Sequence, residues 1–239
     1  MRQIAIIGVG FIGGCLASSI KKLKICERLV GIELSSENRN YIVEKGLVDE
    51  VVEEVPEDTD LIVIALPNVL VAEWVCKLRI NKALVLDVAS VKGEILKLVE
   101  SELGELPENY VPCHPIAGSE VSGPENGKQS LFENKWCVLI KDKKTNFKHL
   151  KLVDSFWKKM GSKTVLMSPE KHDKIFSITS HLPHLIAYNL VKTAQTFEKK
   201  QKHDLIKFSA GGLRDFSRIA ASNEVMWRDI FFDNKTNVS

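Results

Sequence analysis

The chain has 239 residues, and 33 Lys and Arg against 31 Asp and Glu leave a formal charge of +2. That length buries a core without staples, as one large domain or two modest ones, and the near balance of charge argues against nucleic acid or an anionic membrane surface as partner. The five cysteines are odd in number, scattered and without a C-x-x-C, the pattern of reduced thiols in a cytoplasmic protein. No apolar run approaches the roughly 18 residues of a membrane span, and the expectation is of no signal peptide, because Met1 leads within three residues into a strand.

The first element is the buried strand Ile4-Ala5-Ile6-Ile7, which breaks into Gly8-Val9-Gly10-Phe11-Ile12-Gly13-Gly14 and then an apolar helical pattern to about Ile20. Gly8, Gly10 and Gly13 fit G-x-G-x-x-G between strand and helix, the arrangement that seats a dinucleotide's pyrophosphate on a helix N-terminus. Phe11 and Ile12 open that helix and count with the glycines as cofactor contacts. Arg28 to Glu33 reads as the second strand, ending in an acid about 25 residues after Gly8, where ribose hydroxyls need an acceptor. Glu33 repels a 2′-phosphate and so favours NAD over NADP, while Arg39 nearby leaves that preference open. The alternative for Glu33 is a solvated strand end.

A helix from Glu37 to Lys45 closes at Gly46, and Asp60 to Leu66 is the next buried strand, ended by Pro67-Asn68 at the height of a cofactor's nicotinamide half. A helix spans Val69 to about Leu78, Leu84 to Asp87 is a strand, and Ala89-Ser90-Val91-Lys92 turns it into another helix. Strand and helix alternate over short connections, so the expected fold is α/β, a Rossmann-like, mostly parallel sheet with helices on both faces. Gly10, Pro67, Ser90 and His114 all follow strands and are expected to line one crevice. Tyr110 to Cys113 is a further strand, Trp136 to Ile140 reads as an edge strand, Phe147 to Met160 as a helix and Lys163 to Leu166 as the last strand. Helical patterns alone follow Ser168. The division is therefore into a dinucleotide-binding domain, 1–167, and an all-α domain, 168–239.

His114, at a strand end before Pro-Ile-Ala-Gly, is the candidate base, since histidine titrates near neutrality; the alternative is a histidine satisfied by backbone. Ser90 is placed to orient that imidazole or touch the nicotinamide amide, or else to cap a helix. Lys92 reads as a solvated helix residue, and Glu120 as a polar substrate contact or a wet loop acid. Cys113 points away from its neighbour His114, because adjacent strand residues face opposite sides. His181 and His184 lie three apart, but Pro183 disturbs the helix and a zinc set would need His172 or a distant acid, so no metal is expected. His184 is either a polar substrate contact or a buried structural histidine. On a helix, Arg214 and Arg218 share one face at i,i+4, a pair suited to a ligand with two carboxylates unless Asp215 and Glu224 claim them.

Together GVGFIGG (8–14), DVASVK (87–92), HPIAGSE (114–120), SHLPH (180–184) and AGGLRDFSRIAASNEVMWRDI (210–230) resemble the prephenate/arogenate dehydrogenase family of tyrosine biosynthesis, in the family's order over residues 4 to about 234. The resemblance implies a nucleotide-binding domain followed by a helical domain that dimerises, NAD as cofactor, and prephenate or arogenate as small-molecule substrate. It implies His114 as the catalytic histidine that takes the proton of the substrate's C4 hydroxyl, and Ser90 as the serine that positions it. It implies Arg218 as the carboxylate-binding arginine, and Ser180, His184 and Glu120 as pocket residues; Arg214 is added from helical spacing. There are two departures. The sequence stops soon after MWRDI, where relatives continue with further helices, so the helical domain reads as shortened, and Ala89 stands where the family often has glycine. The rivals are another reductase on the same scaffold and a non-catalytic NAD-binding regulatory relative.

Overall fold

The computed structural model describes residues 1–119, 121–142, 144–201 and 205–239. The chain divides into two compact units: one made of Met1–Gly118 and Ser122–His172, and a second whose main body is Asp173–Ser239.

The first unit is built on an eight-stranded sheet. Its strands are β1 (Gln3–Ile7), β2 (Arg28–Ile32), β3 (Glu50–Val51), β4 (Leu61–Ile64), β5 (Leu84–Asp87), β6 (Tyr110–Pro115), β7 (Trp136–Ile140) and β8 (Lys163–Met167). They lie in the order β3-β2-β1-β4-β5-β6-β7-β8. All neighbours pair in parallel except β6 and β7. β1, β4 and β5 are buried at every position, as parallel strands covered on both faces must be, which is why they read as unbroken apolar runs rather than alternating ones. The cover comes from α1 (Phe11–Leu23), α2 (Ser36–Glu44), α3 (Asn68–Lys77), α4 (Gly93–Leu103) and α5 (Phe147–Lys159). In α5 the buried Leu150, Val153, Phe156 and Trp157 recur at helical spacing, and Trp157 packs edge-on against Phe132 and Phe156.

One expectation about this sheet needs correction, and one strand was not foreseen. Trp136–Ile140 is not an edge strand. β7 lies between β6 and β8, and β8, whose residues are exposed or half-buried, takes the edge. The sign was in the composition: four of the five residues of β7 are buried. The two-residue strand β3 was not anticipated; Glu50–Val51 pairs with β2 through the backbone ladder and through an Arg28–Glu50 ion pair, too short a segment to show a period.

The second unit is helical. After α6 (Pro169–Phe176) comes a π-helical turn, Ser177–His181, then α7 (Leu182–Gln201), α8 (Gly211–Ala220), α9 (Glu224–Asp233) and α10 (Lys235–Val238). Pro183 follows directly on that π-helical turn, inside a helical run that continues from α6; the widened turn takes up the hydrogen bond that a proline cannot make, so the helix is disturbed there as expected but does not end. No helix among the described residues is long and apolar enough to cross a membrane.

Candidate active site

β1, β4, β5 and β6 are consecutive in the sheet and parallel. The glycine loop, Pro67, Ser90 and His114 therefore stand along the same, carboxyl-terminal edge. The crevice at such an edge, beside the strand where the order reverses, is where open α/β sheets bind ligands. Here β1 is that strand.

The glycine loop is shaped for a dinucleotide. Gly8 has φ +86°, and a Cβ there would lie 2.6 Å from the Ala65 carbonyl oxygen. A Cβ on Gly13 would lie 2.0 Å from the Gly8 oxygen, so helix and strand close up only because it is absent. At Gly10, by contrast, a Cβ would meet nothing within 4 Å. That open side is the direction from which a pyrophosphate approaches backbone. Gly10 caps α1 without a side chain, and no acid sits in the first turn, which begins with Phe11 and Ile12. The terminal N–H groups and the positive dipole end are thus not neutralised by the helix itself.

Glu33, directly after β2, is buried, and its carboxylate ties the loop to the strand end. Oε2 accepts from the Val9 N–H at 2.9 Å and Oε1 from the Ser35 N–H at 2.9 Å. Each oxygen keeps a second lone pair for a ribose hydroxyl. Arg39 donates from Nε to the Glu33 carbonyl and pairs with Glu53 at 2.8 Å.

At the β4 and β5 ends, sequence reading fixed on Pro67 and overlooked its neighbour. The Asn68 Oδ1 accepts from the Ser90 N–H at 3.2 Å, which fixes the amide's orientation, and its buried Nδ2 has no partner among the described residues. An orphaned buried donor costs free energy unless something accepts from it. At this strand end it fits a cofactor hydroxyl or carbonyl. The residues present therefore fit a dinucleotide along the whole edge: open backbone for the pyrophosphate, a carboxylate for a ribose, and an orphan donor at the far end.

Lys92 is not solvated. It is fully buried and pairs with Asp87, whose side chain also accepts from the Ala89 N–H at 2.8 Å and from the Tyr110 hydroxyl at 2.7 Å. Burial first, and then the Asp87 charge, push the Tyr110 phenol well above its ordinary value. The pair brackets Ala89-Ser90-Val91 and holds that loop at both ends. Its signal was Asp87 closing an otherwise apolar strand: an acid buried there requires a cation.

His114 is the penultimate residue of β6. It is half-buried, and its Nδ1 lies 2.8 Å from the Nε2 of His172, which is fully buried near the start of α6. The ring centroids are 5.0 Å apart, edge to face. The hydrogen bond at this nitrogen runs to His172, not to Ser90.

The second unit carries the other candidates. The His184 Nδ1–H donates to the Ser180 carbonyl at 2.9 Å, and its ring stacks on Trp227 with centroids 3.5 Å apart. Burial lowers its pKa against that hydrogen bond, so the ring is neutral near pH 7 with Nε2 as acceptor. Trp227 is a further residue that the sequence did not single out. On α8, Arg214 and Arg218 lie on one face and both are exposed. Glu120 falls outside the described residues. Among those residues no cluster of His, Cys, Asp or Glu suited to a metal ion occurs.

Comparison with known proteins agrees with this layout. Residues 16–166 match the family model for the prephenate dehydrogenase nucleotide-binding domain, and residues 168–239 the model for the prephenate dehydrogenase dimerization domain. The chain is 32% identical to cyclohexadienyl dehydrogenase of Zymomonas mobilis, over 98% of its own length and 81% of that protein. It is 34% identical to prephenate dehydrogenase of Bacillus subtilis, over 98% of its length and 65% of that protein. A crystal structure of prephenate dehydrogenase from Aquifex aeolicus, with hydroxyphenyl propionate and NAD+ bound, superposes with a TM-score of 0.91 at 38% identity, covering 100% of this chain and 84% of that one. The first unit is accordingly an NAD-binding domain. Its glycine cradle, its Glu33 clasp and the two matching domain models leave one assignment: the chain belongs to the prephenate dehydrogenase family, NAD-dependent dehydrogenases of tyrosine biosynthesis.

Proposed function

We propose that the protein catalyses the oxidative decarboxylation of prephenate to 4-hydroxyphenylpyruvate, working as a cytoplasmic homodimer. Residues 1–167 bind NAD, and 168–239 bind substrate and dimerise. NAD, when bound, supplies the hydride acceptor. Neutral His114 takes the proton of the substrate's C4 hydroxyl as that carbon becomes a carbonyl, and the ring carboxylate then leaves as CO2. Aromatisation drives the step, so the protein's task is alignment. Arg218, with Arg214 beside it, forks onto substrate carboxylate. Ser90 orients the reacting groups, and Ser180, His184 and Glu120 line the pocket. The observation that supports the reading most is that His114, Ser90 and the glycine cradle share one edge of the sheet, base beside cofactor.

NADH formation at 340 nm, followed first with prephenate and then with arogenate, tests it. Turnover of prephenate is expected; turnover of arogenate alone makes the protein an arogenate dehydrogenase; turnover of neither, with NAD still bound, leaves the non-catalytic regulatory relative. His114→Asn is expected to lower kcat about 10²–10⁴-fold, the range for a lost general base, with NAD affinity unchanged. Arg218→Ala is expected to raise the KM for substrate.

A further inference from the structure

We infer that His172 is a positioning residue that fixes the tautomer of His114. The inference rests on His114 acting as the base. Two neutral imidazoles joined by one hydrogen bond must be in complementary states, one nitrogen bearing the proton and the other the lone pair. The bond here joins the His114 Nδ1 to the His172 Nε2 at 2.8 Å. A base that accepts a proton at Nε2 must carry its own hydrogen on Nδ1. His114 therefore donates from Nδ1, and His172 accepts at Nε2.

This choice matters because a neutral histidine left to itself favours the other form, with hydrogen on Nε2. In that form His114 offers substrate a donor where the reaction needs an acceptor. The nitrogen opposite is what decides between the two. His172 is suited to decide it, being fully buried, so bulk water does not compete for the bond. It comes from α6 whereas His114 comes from β6, so the bond also sets the plane of the reacting ring. The rings meet edge to face at 60° rather than stacking, so the contact between them is the nitrogen–nitrogen one. When the C4 hydroxyl proton arrives at the His114 Nε2, the ring becomes a cation and keeps its Nδ1 hydrogen. The bond to His172 is then charge-assisted and stronger, so this neutral partner stabilises the state after proton transfer more than the state before it. Nothing is consumed: one proton moves from substrate oxygen to Nε2, and the Nδ1 hydrogen stays in place.

The test compares His172→Phe, which keeps a buried ring but offers no lone pair, with His172→Gln, whose Oε1 supplies an acceptor. Nitrogen NMR of the histidine-labelled wild-type protein with NAD bound reads the tautomer directly and needs no variant. The expected results are hydrogen on Nδ1 of His114 in the wild type and in His172→Gln, and on Nε2 in His172→Phe. His172→Phe is expected to lower kcat about 10²-fold or more, toward the loss seen when a catalytic histidine adopts the wrong tautomer, with KM and NAD affinity held within about threefold; His172→Gln should recover at least tenfold of that loss. Hydrogen on Nε2 of His114 in the wild type, or near-normal kcat in His172→Phe, overturns the inference. His114→Asn separates the two levels: if it is inactive while His172→Phe is active, only the role of His172 falls, and if it is active, the assignment of the base falls with it.

Discussion

The two units bury apolar surface in different ways. In the first, three strands are closed at every position and the core reaches out to Trp157, which is 0% exposed. In the second, α8 has no buried residue, Phe208 and Phe232 are 88% and 67% exposed, and Trp227 and Ile230 are among the few buried apolar side chains. One unit is finished by its own packing. The other leaves large apolar side chains such as Phe197, Phe208 and Phe232 exposed, in the region that matches a dimerization domain. The hydrogen-bonded pairs His114–His172 and Ser90–Asn68 sit in the closed unit, and the exposed arginines of α8 sit on the open one.

The sharpest way to break that comparison is to open the closed unit at its only charged pair with both side chains fully buried, among the described residues. Lys92→Met leaves Asp87 without its cation in the interior and is expected to cost about 3–5 kcal/mol in urea unfolding. Adding Asp87→Asn should return much of that, because it removes the uncompensated charge; the amide oxygen can still accept from the Ala89 N–H, and the Tyr110 hydroxyl can turn to accept from the amide nitrogen. A loss below about 1 kcal/mol in the single variant would mean that water reaches the pair.

The open unit should respond otherwise. Phe232→Ser removes a ring that is mostly exposed and is expected to change the intrinsic stability by less than about 0.5 kcal/mol. Self-association should weaken by about 1.5–3 kcal/mol for each such ring that a partner covers, visible as a higher dimer–monomer midpoint in sedimentation. If stability falls and association holds, the ring belongs to an internal core and the contrast between units is wrong.

The same contrast explains what was legible in the chain. β1, β4 and β5 are continuous apolar runs because both faces are covered, so their type and sequence could be read from composition, whereas the reading Asp60 to Leu66 overran β4, which is Leu61–Ile64, at both ends. The glycine positions could be read because sterics at Gly8 and Gly13 admit nothing larger. Lys92 was misread because a charged residue near a helix start is ordinarily wet; Asp87 at the end of an apolar strand hinted at a buried cation, and the structure shows which one it is. His172 was visible only as a conceivable metal ligand, since a partner 58 residues from His114 has no local signature. Trp227 was hidden for the same reason. Its stack on His184 joins α7 to α9 across about forty residues.

That stack sharpens the comparison through pH. Burial lowers the His184 pKa below its ordinary 6.5. Below pH 6.5 the unfolded chain binds a proton that the folded ring does not yet take, so stability falls with falling pH. The contribution is complete above about 6.5 and is lost as pH drops through the lowered value. Urea midpoints of the wild type should therefore decline through this window, and His184→Gln should flatten part of the decline. An unchanged slope in the variant would show that the ring titrates alike in both states.

The smallest expected effect lies at the rim of the closed unit, on Arg39. Its guanidinium is held by the Glu33 carbonyl and by Glu53, and both partners of the ion pair are solvent-accessible, 32% and 77%. Such a pair contributes about 0–1 kcal/mol, so Arg39→Ala should leave unfolding nearly unmoved. Its effect on cofactor choice is the more telling measurement. To receive a 2′-phosphate, Arg39 would have to leave both partners and approach beside the Glu33 carboxylate, whose charge repels the same phosphate. The ratio of kcat/KM with NAD to that with NADP is therefore expected to stay unchanged in Arg39→Ala and to fall in Glu33→Ser, where the repelling charge is removed. A selective loss of NADP turnover in Arg39→Ala would assign the arginine, rather than the acid, control of that choice.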